Sequence, residues 1–197
     1  MAKLKIGALV LAAGSSQRFG TDKRTTQLRN GNLMVIETLQ KIVSNFEETA
    51  IVLKESDDEV EKLIKENYLE PEPFVYRATE SHQGIGNSLS SSISVSIDRQ
   101  WSGTFIFLAD MPFIKSETIA ILKEEALINN RSIIIPEFES FRGHPVFFPS
   151  RFYQELGLLK GDQGAKKIIE SNLESVKQVE VADEGITKDI DCPEDLE

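Results

Sequence analysis

The sequence predicts an α/β fold, a three-layer α/β/α arrangement around a mostly parallel sheet. Three observations carry that expectation. Five short runs rich in Val, Ile and Phe alternate along the chain with segments of helical spacing, as strands alternating with helices do. The first run, residues 6–11, is apolar at successive rather than alternate positions, as expected where helices cover both faces of a central parallel strand. That run leads directly into LAAGSSQRFGTDK, residues 11–23, where two glycines and two cations share one loop. Such a composition suits a triphosphate cradle, because glycine lets backbone N–H groups approach phosphate oxygens and Arg18 and Lys23 supply positive charge.

The elements follow in chain order. After the strand at 6–11, the residues Leu33, Ile36, Leu39, Ile42, Val43 and Phe46 recur at three- and four-residue intervals and predict a first helix. Strands are expected at 49–53 and 74–76. Between them Val60, Leu63 and Ile64 predict a second helix, introduced by Ser56-Asp57-Asp58-Glu59, whose carboxylates suit a helix N-terminus. Residues 87–97 predict a third helix, 103–109 a fourth strand, and 116–127 a fourth helix with Ser116 as its N-cap. A fifth strand is expected at 132–136. A β run at 144–148 lies between prolines, Gly161-Asp162-Gln163-Gly164 opens a helix through residue 170 with Asp162 as a cap, and 176–181 alternates as an exposed or edge strand does. Trp101 and the phenylalanines at 105, 107, 147 and 148 are expected to fill the core. No repeat or linker composition divides the chain, so a single domain, 1–197, is expected, with a nucleotide-binding half of about 1–110 and an acceptor-binding half of about 111–197.

Composition excludes several functions. A net charge of -10 over 197 residues argues against a nucleic-acid binder, which needs a basic face to release counterions from phosphates. Small anionic ligands remain open, since Arg18, Lys23 and Arg24, helped by a divalent ion, can hold a triphosphate locally. The single cysteine, Cys192, allows neither an internal disulfide nor a Cys-only metal site, and points to the cytoplasm. The apolar run at 6–13 is too short to span a bilayer, so no membrane association is expected.

Spacing narrows the chemistry of the loop. Five residues separate Gly14 from Gly20, and Thr21 follows, which fits neither the Walker pattern nor the dinucleotide fingerprint. Asp110 ends the apolar run 105–109, and a carboxylate at the carboxyl end of a buried parallel strand sits where ligands bind in open α/β sheets. Its expected role is to hold Mg²⁺, which takes one or two carboxylates together with phosphates. In Asp189-Ile190-Asp191, period-two spacing puts both carboxylates on one face of an extended segment, so one or both can reach a common cation. Asp191 is the expected second metal ligand.

These segments together resemble a known family. LAAGxSxRxGxxK at 11–23, LADMPF at 108–113 and DIDCPEDL at 189–196 are similar to motifs of the nucleotidyltransferases of the molybdenum-cofactor type, the MobA/MocA-like family. Phe19 stands where Met is usual, Cys192 where Thr is usual, and Arg24-Thr25-Thr26 where apolar residues are usual. RGHPVFF at 142–148 and LKGDQGAK at 159–166 resemble segments of the MocA-like branch, and GIGNSL at 84–89 resembles a segment at a helix start in the nucleotide half. The resemblance implies a sheet of the nucleotide-diphospho-sugar transferase type and transfer of a nucleotidyl group from an NTP to the terminal phosphate of molybdopterin, with release of pyrophosphate. It further implies that a molybdoenzyme receives the product.

By the same resemblance Arg18, Lys23 and Asp110 are the catalytic residues, and Mg²⁺ is held by Asp110 and Asp191. Nucleotide is held by Leu11, Ala12, Ala13, Gly14, Ser15, Arg18, Lys23, Gly84 and Ser88, where small residues and free backbone donors at the helix start suit a sugar, base or phosphate. The acceptor is held by Arg142, Gly143, His144 and Asp162. Gly143 and Gly161 are expected to permit close backbone approach, and His144 to hydrogen-bond a phosphate or pterin edge. His82 reads as a surface loop residue. Ala12-Ala13 before the loop glycine resembles relatives that use CTP, whereas those that transfer a guanylyl group carry Gly-Gly. Three rivals stay open: GTP or another organic phosphate (a sugar or polyol phosphate) as substrate, a noncatalytic nucleotide- or cofactor-binding module, and a nicotinamide enzyme, which the missing GxGxxG disfavours.

Overall fold

A computed structural model of the protein describes residues 4–14 and 19–196. In chain order the strands and α-helices are β1 (Ile6–Leu11), α1 (Met34–Val43), β2 (Thr49–Lys54), α2 (Asp58–Glu66), β3 (Phe74–Ala78), α3 (Ile85–Asp98) and β4 (Gly103–Leu108). There follow α4 (Ser116–Ile128), β5 (Ile133–Phe138), β6 (Phe141–Arg142), β7 (Val146–Pro149), α5 (Tyr153–Leu156), α6 (Lys166–Ser171) and β8 (Val176–Glu180). One sheet runs β3-β2-β1-β4-β7-β5-β6, with β8 paired to β5. The strands β3, β2, β1 and β4 are mutually parallel. β7 runs antiparallel between β4 and β5, so β5 and its parallel partner β8 return to the common direction. The expected mostly parallel α/β sheet is therefore present.

Successive apolar residues in β1 serve two different layers. Ala8 and Val10 join the core that contains Ile36 and Leu39 of α1 and Leu122 of α4, whereas Leu9 and Leu11 join the core that contains Leu89 and Ile93 of α3. β4 divides in the same way, with Phe105 and Phe107 on the first face and Ile106 on the second. Each such side chain gains about 1.5–3 kcal/mol by leaving water, which is why the strand cannot alternate. Trp101 covers β1 where Gly7 leaves room; a Cβ there would lie 2.2 Å from the indole ring. The buried indole Nε1 donates to Glu48 Oε2 at 2.6 Å.

Several local expectations are corrected. Ser116 is the first helical residue of α4 and not its cap. Asp183, 65 residues beyond Thr118 and 1% exposed, does that work: its Oδ2 accepts from Lys115 N at 2.9 Å and Thr118 Oγ1 at 2.7 Å. The helix expected to open at Asp162 begins at Lys166 behind Ala165, and no side chain caps it. The β run at 144–148 begins at Val146, after Pro145, and its reversed direction separates two sets of parallel strands.

β2 and β4 flank β1 on opposite sides and are reached by chain segments that leave in opposite directions. A crevice opens at such a switch point outside the carboxyl ends of the strands.

Candidate active site

A cleft of about 700 Å³ lies at that switch point. Its floor is the end of β1 and the loop after it, where Leu11, Ala12, Ala13 and Gly14 all line the cavity. The ladder holds this backbone in place: Ala12 N donates to Val52 O at 2.9 Å, and Ala109 N to Leu11 O at 3.1 Å. Among the described residues no atom lies within 4 Å of a Cβ placed on Gly14, so their packing does not demand glycine there. Lys23, Gly84, Ser88 and Asp110 also line the cleft. Ser15 and Arg18 lie outside the described residues.

The carboxylates converge beside this floor. Asp110, Asp189 and Asp191 each offer an oxygen, all within 4.8 Å of one another. The extended chain at 189–191 accounts for the geometry. Ile190 is fully buried against Phe19 and Met34, so its two neighbours turn the other way. Ile190 N donates to Asp110 O at 3.0 Å, fastening the segment to the end of β4. Thr38 Oγ1 donates to Ala109 O at 3.1 Å and fixes the same turn from α1.

Lys23 is seated among these groups, with Nζ 2.6 Å from Asp110 Oδ2, 2.8 Å from Ile190 O and 3.1 Å from Asp191 Oδ1. Burial alone would lower the pKa of this ammonium. The bonds to Asp110 and then Asp191 outweigh burial and hold it above the ordinary lysine value. Among the described residues Asp110 Oδ1 is buried without a hydrogen-bond partner, a costly state that a bound cation would relieve. The donor set is all oxygen, as Mg²⁺ and Mn²⁺ prefer. Asp110, Asp189 and Asp191 would hold such an ion, which would supply positive charge next to a bound phosphate.

Arg24 lines the first cleft, but it has no N–H donor left for a phosphate. All five of its N–H donors are engaged. Nε and Nη2 donate to the Asp22 carboxylate at 2.8 and 2.6 Å, Nη2 also to Asp57 Oδ1 at 2.8 Å, and Nη1 to Ala12 O at 2.7 Å and to Asp57 Oδ2. Asp57 accepts Lys54 N as well, at 2.8 Å, instead of capping α2. Arg24 therefore staples the phosphate loop to the turn that follows β2. Burial opposes each charge in this triad, yet Arg24 remains above its ordinary pKa and Asp22 and Asp57 below theirs, because each bonds the opposite charge.

A second cavity of about 450 Å³ shares Leu11, Ile85 and Leu108 with the first. Its walls are mainly apolar, from Ile106, Ile135, Val146 and Phe148, and Arg142, Gly143 and His144 line it together. Gly143 is required by packing, since a Cβ would lie 2.2 Å from Ile186 O. His144 N donates to the same carbonyl at 2.9 Å. The His144 ring has an unpartnered buried Nδ1. Burial pushes its pKa below the ordinary histidine value, against weaker opposing pulls from the Ile106 carbonyl and from Asp110 and Asp189.

Two expectations about this region change. Asp162 lines the first cleft and not the second, where it packs against Gly84, whose Cβ would lie 2.4 Å from Asp162 Oδ1. The start of α3 is also less free than its small residues suggested: Gly86 N donates to Gly161 O at 2.8 Å, and Gly161 N returns a bond to Asn87 Oδ1 at 2.6 Å. The close approach therefore occurs at Gly84 and Gly86. Gly161 has open space around it and a φ of +63°.

Sequence reasoning left four polar residues that line the first cleft out of the site, Lys54, Ser81, His82 and Gln83. Lys54 carried a signal, a cation ending a buried parallel strand. His82 reaches the cleft from an exposed 3-10 turn, Ser81–Gln83, so its surface reading was incomplete. Asp189 joins Asp110 and Asp191, which period-two spacing had left open.

Comparison with known proteins gives a consistent family. The MobA-like NTP transferase domain matches residues 8–178. Purine catabolism protein PucB of Bacillus subtilis is 27% identical over 193 residues, covering 95% of this chain and 92% of that protein. A probable molybdenum cofactor guanylyltransferase of Natranaerobius thermophilus is 30% identical over 131 residues, 66% of this chain and 60% of that protein. Among solved structures, Rv0371c from Mycobacterium tuberculosis has a TM-score of 0.77 at 24% identity, covering 97% of this chain and 95% of that one. The 4-diphosphocytidyl-2C-methyl-D-erythritolsynthase of Anaerococcus prevotii has a TM-score of 0.76 at 17% identity, covering 98% and 92%. The sheet is that of the nucleotide-diphospho-sugar transferase fold.

Proposed function

This chain belongs to the MobA-like NTP transferase family, and from that premise we propose that it moves a CMP group from CTP to the terminal phosphate of a molybdopterin-type acceptor. One observation carries the reading. The phosphate-loop floor at 11–14, Lys23 and Asp110 line one cleft, Asp189 and Asp191 converge on Asp110 with oxygens within 4.8 Å, and an apolar cavity opens beside the cleft. A nucleotidyltransferase needs this set: a triphosphate site, a cation site at its α- and β-phosphates and an adjacent acceptor site.

An oxygen of the acceptor phosphate attacks the α-phosphorus in line, the bond from the α-phosphorus to the bridging oxygen breaks, and pyrophosphate leaves. Positioning and charge neutralisation carry such a transfer, so no side-chain nucleophile is needed. Asp110 and Asp191, joined by Asp189, would hold Mg²⁺, which when bound neutralises phosphate charge and aligns the reacting groups. Lys23 and Arg18 stabilise charge on the transferred and leaving phosphates. Residues 11–14, with Gly84 and Ser88, hold the nucleotide in the half of the chain up to about residue 110. Arg142, Gly143 and His144, in the half from about 111, shape the acceptor cavity, and neutral His144 offers its ring nitrogen to a phosphate or heterocycle edge. Asp162 lines the nucleotide cleft beside Gly84. A molybdoenzyme would receive the product. Among the described residues no helix is long and apolar enough to cross a membrane, and one cysteine suits a cytoplasmic enzyme.

The test is turnover of purified protein with Mg²⁺, molybdopterin and each NTP, read as pyrophosphate release. CTP should be preferred, and equal or better use of GTP would sink the cytidylyl assignment. Asp110→Ala should abolish turnover while leaving the melting temperature near wild type. GTP is the second reading, because two relatives are named probable molybdenum cofactor guanylyltransferases. Ala12-Ala13 in place of Gly-Gly favours CTP.

A further inference from the structure

The Lys23 ammonium has three hydrogens, and each already has an acceptor: Asp110 Oδ2 at 2.6 Å, Ile190 O at 2.8 Å and Asp191 Oδ1 at 3.1 Å. A lysine has no further donor to offer. As seated, it cannot also hold a phosphate. Two of its three acceptors belong to carboxylates of the candidate cation cluster, and Lys23 is only 12% exposed there. The same Asp110 carboxylate leaves its other oxygen, Oδ1, buried and unpartnered. The cluster is thus only partly neutralised by an internal cation and incompletely coordinated by it.

We propose that Lys23 stands in for the divalent cation in the ligand-free protein and exchanges places with it when nucleotide enters, passing from the carboxylates to the phosphates. This rests on the metal-assisted nucleotidyltransferase reading. The physical reason is charge. An ammonium and a divalent cation competing for the same two carboxylates repel one another at short range, and low local dielectric strengthens that repulsion. A triphosphate supplies new acceptors for Lys23, so nucleotide and metal favour one another's binding. Metal alone gains only the carboxylates that Lys23 must release. The device keeps a cluster of three carboxylates from holding divalent ions before nucleotide arrives, and commits the lysine to phosphate only in the loaded site.

The experiment is a Mn²⁺ titration followed by electron paramagnetic resonance, with and without CTP, on the wild-type protein, Lys23→Met and Lys23→Arg. Without nucleotide, Lys23→Met should bind Mn²⁺ about 5- to 150-fold more tightly than wild type, the usual range for two coupled sites. Lys23→Arg, which keeps the charge, should remain near wild type. The enhancement of Mn²⁺ binding by CTP should shrink in Lys23→Met. Equal or weaker Mn²⁺ binding by Lys23→Met overturns the exchange while leaving the metal site standing. Failure of all three proteins to bind Mn²⁺ even with CTP overturns the metal-assisted reading itself. A crystal of the wild-type protein soaked in Mn²⁺ alone gives a second measurement that needs no variant. Mn²⁺ on Asp110 with Lys23 Nζ still bonded to both Asp110 and Asp191 would refute the exchange, and Lys23 displaced from them would support it.

Discussion

Replacing Arg24 by Ala removes five hydrogen bonds and one buried charge at once. Arg24 is 4% exposed and Asp57 8%, so the variant leaves the Asp57 carboxylate buried with Lys54 N as its remaining donor. Breaking a buried pair from one side costs about 3–5 kcal/mol. Asp22 is more than a third exposed, and its share adds no more than about 1 kcal/mol. For a chain of this size each kcal/mol lowers the melting temperature by about 2–4 °C, so Arg24→Ala should melt about 6–24 °C lower by calorimetry. Asp57→Ala should be comparably damaging. The double variant R24M/D57L, with apolar groups of similar volume, should recover most of the loss, since it leaves no unpaired buried charge and only the half-exposed Asp22 loses a partner. Nucleotide affinity should stay weakened in the double variant, because the tether from Arg24 Nη1 to Ala12 O is gone. A loss below about 1 kcal/mol in Arg24→Ala, or full recovery of nucleotide binding in the double variant, would refute the staple.

Other expectations are more local. Asp57 has a folded-state pKa below its ordinary value, so its contribution is complete above the unfolded value of about 3.9 and is lost as pH falls through the folded pKa; urea stability should drop on acidification from about pH 5 toward 3, and less steeply in Asp57→Asn. Ile190→Ala empties a fully buried site against Phe19 and Met34 and should cost about 2–5 kcal/mol while weakening Mn²⁺ binding by letting Asp189 and Asp191 drift. Gly84→Ala asks for a side chain at φ +118° within 2.5 Å of Gly161 O; spreading of the two segments should appear as faster amide exchange at Gly86 and Gly161. Lys54→Met should raise KM for nucleotide with little change in melting temperature, and unchanged KM would remove Lys54 from the site.

The strands were readable because burial on both faces forces successive apolar residues, and that constraint is local. The direction of β7 was not. Val146-Phe147-Phe148 is apolar throughout, as a parallel strand is, and only its pairing with Phe105 and Thr104 in reversed register decides its sense. Helix caps followed the same division. Ser116 has the chemistry of a cap, but the carboxylate that ties down the start of α4 comes from Asp183, and no propensity rule reaches across 65 residues.

At the site, residue type and spacing singled out residues 11–14, Lys23, Asp110 and Asp191, because phosphate and metal chemistry demand glycine, cations and carboxylates at strand ends, whereas His144 entered only through the family resemblance. Tertiary structure alone decided how those charges pair. Lys23 and Arg24 are neighbours with the same charge, yet one meets Asp110 and Asp191 at the rim of the cleft and the other is consumed by Asp22 and Asp57 beneath the loop. The sequence by itself determined which chemistries the chain can perform, since those depend on the groups present. Which cation is available to a ligand depends on distances between residues 33 to 168 positions apart, and only folding sets those distances.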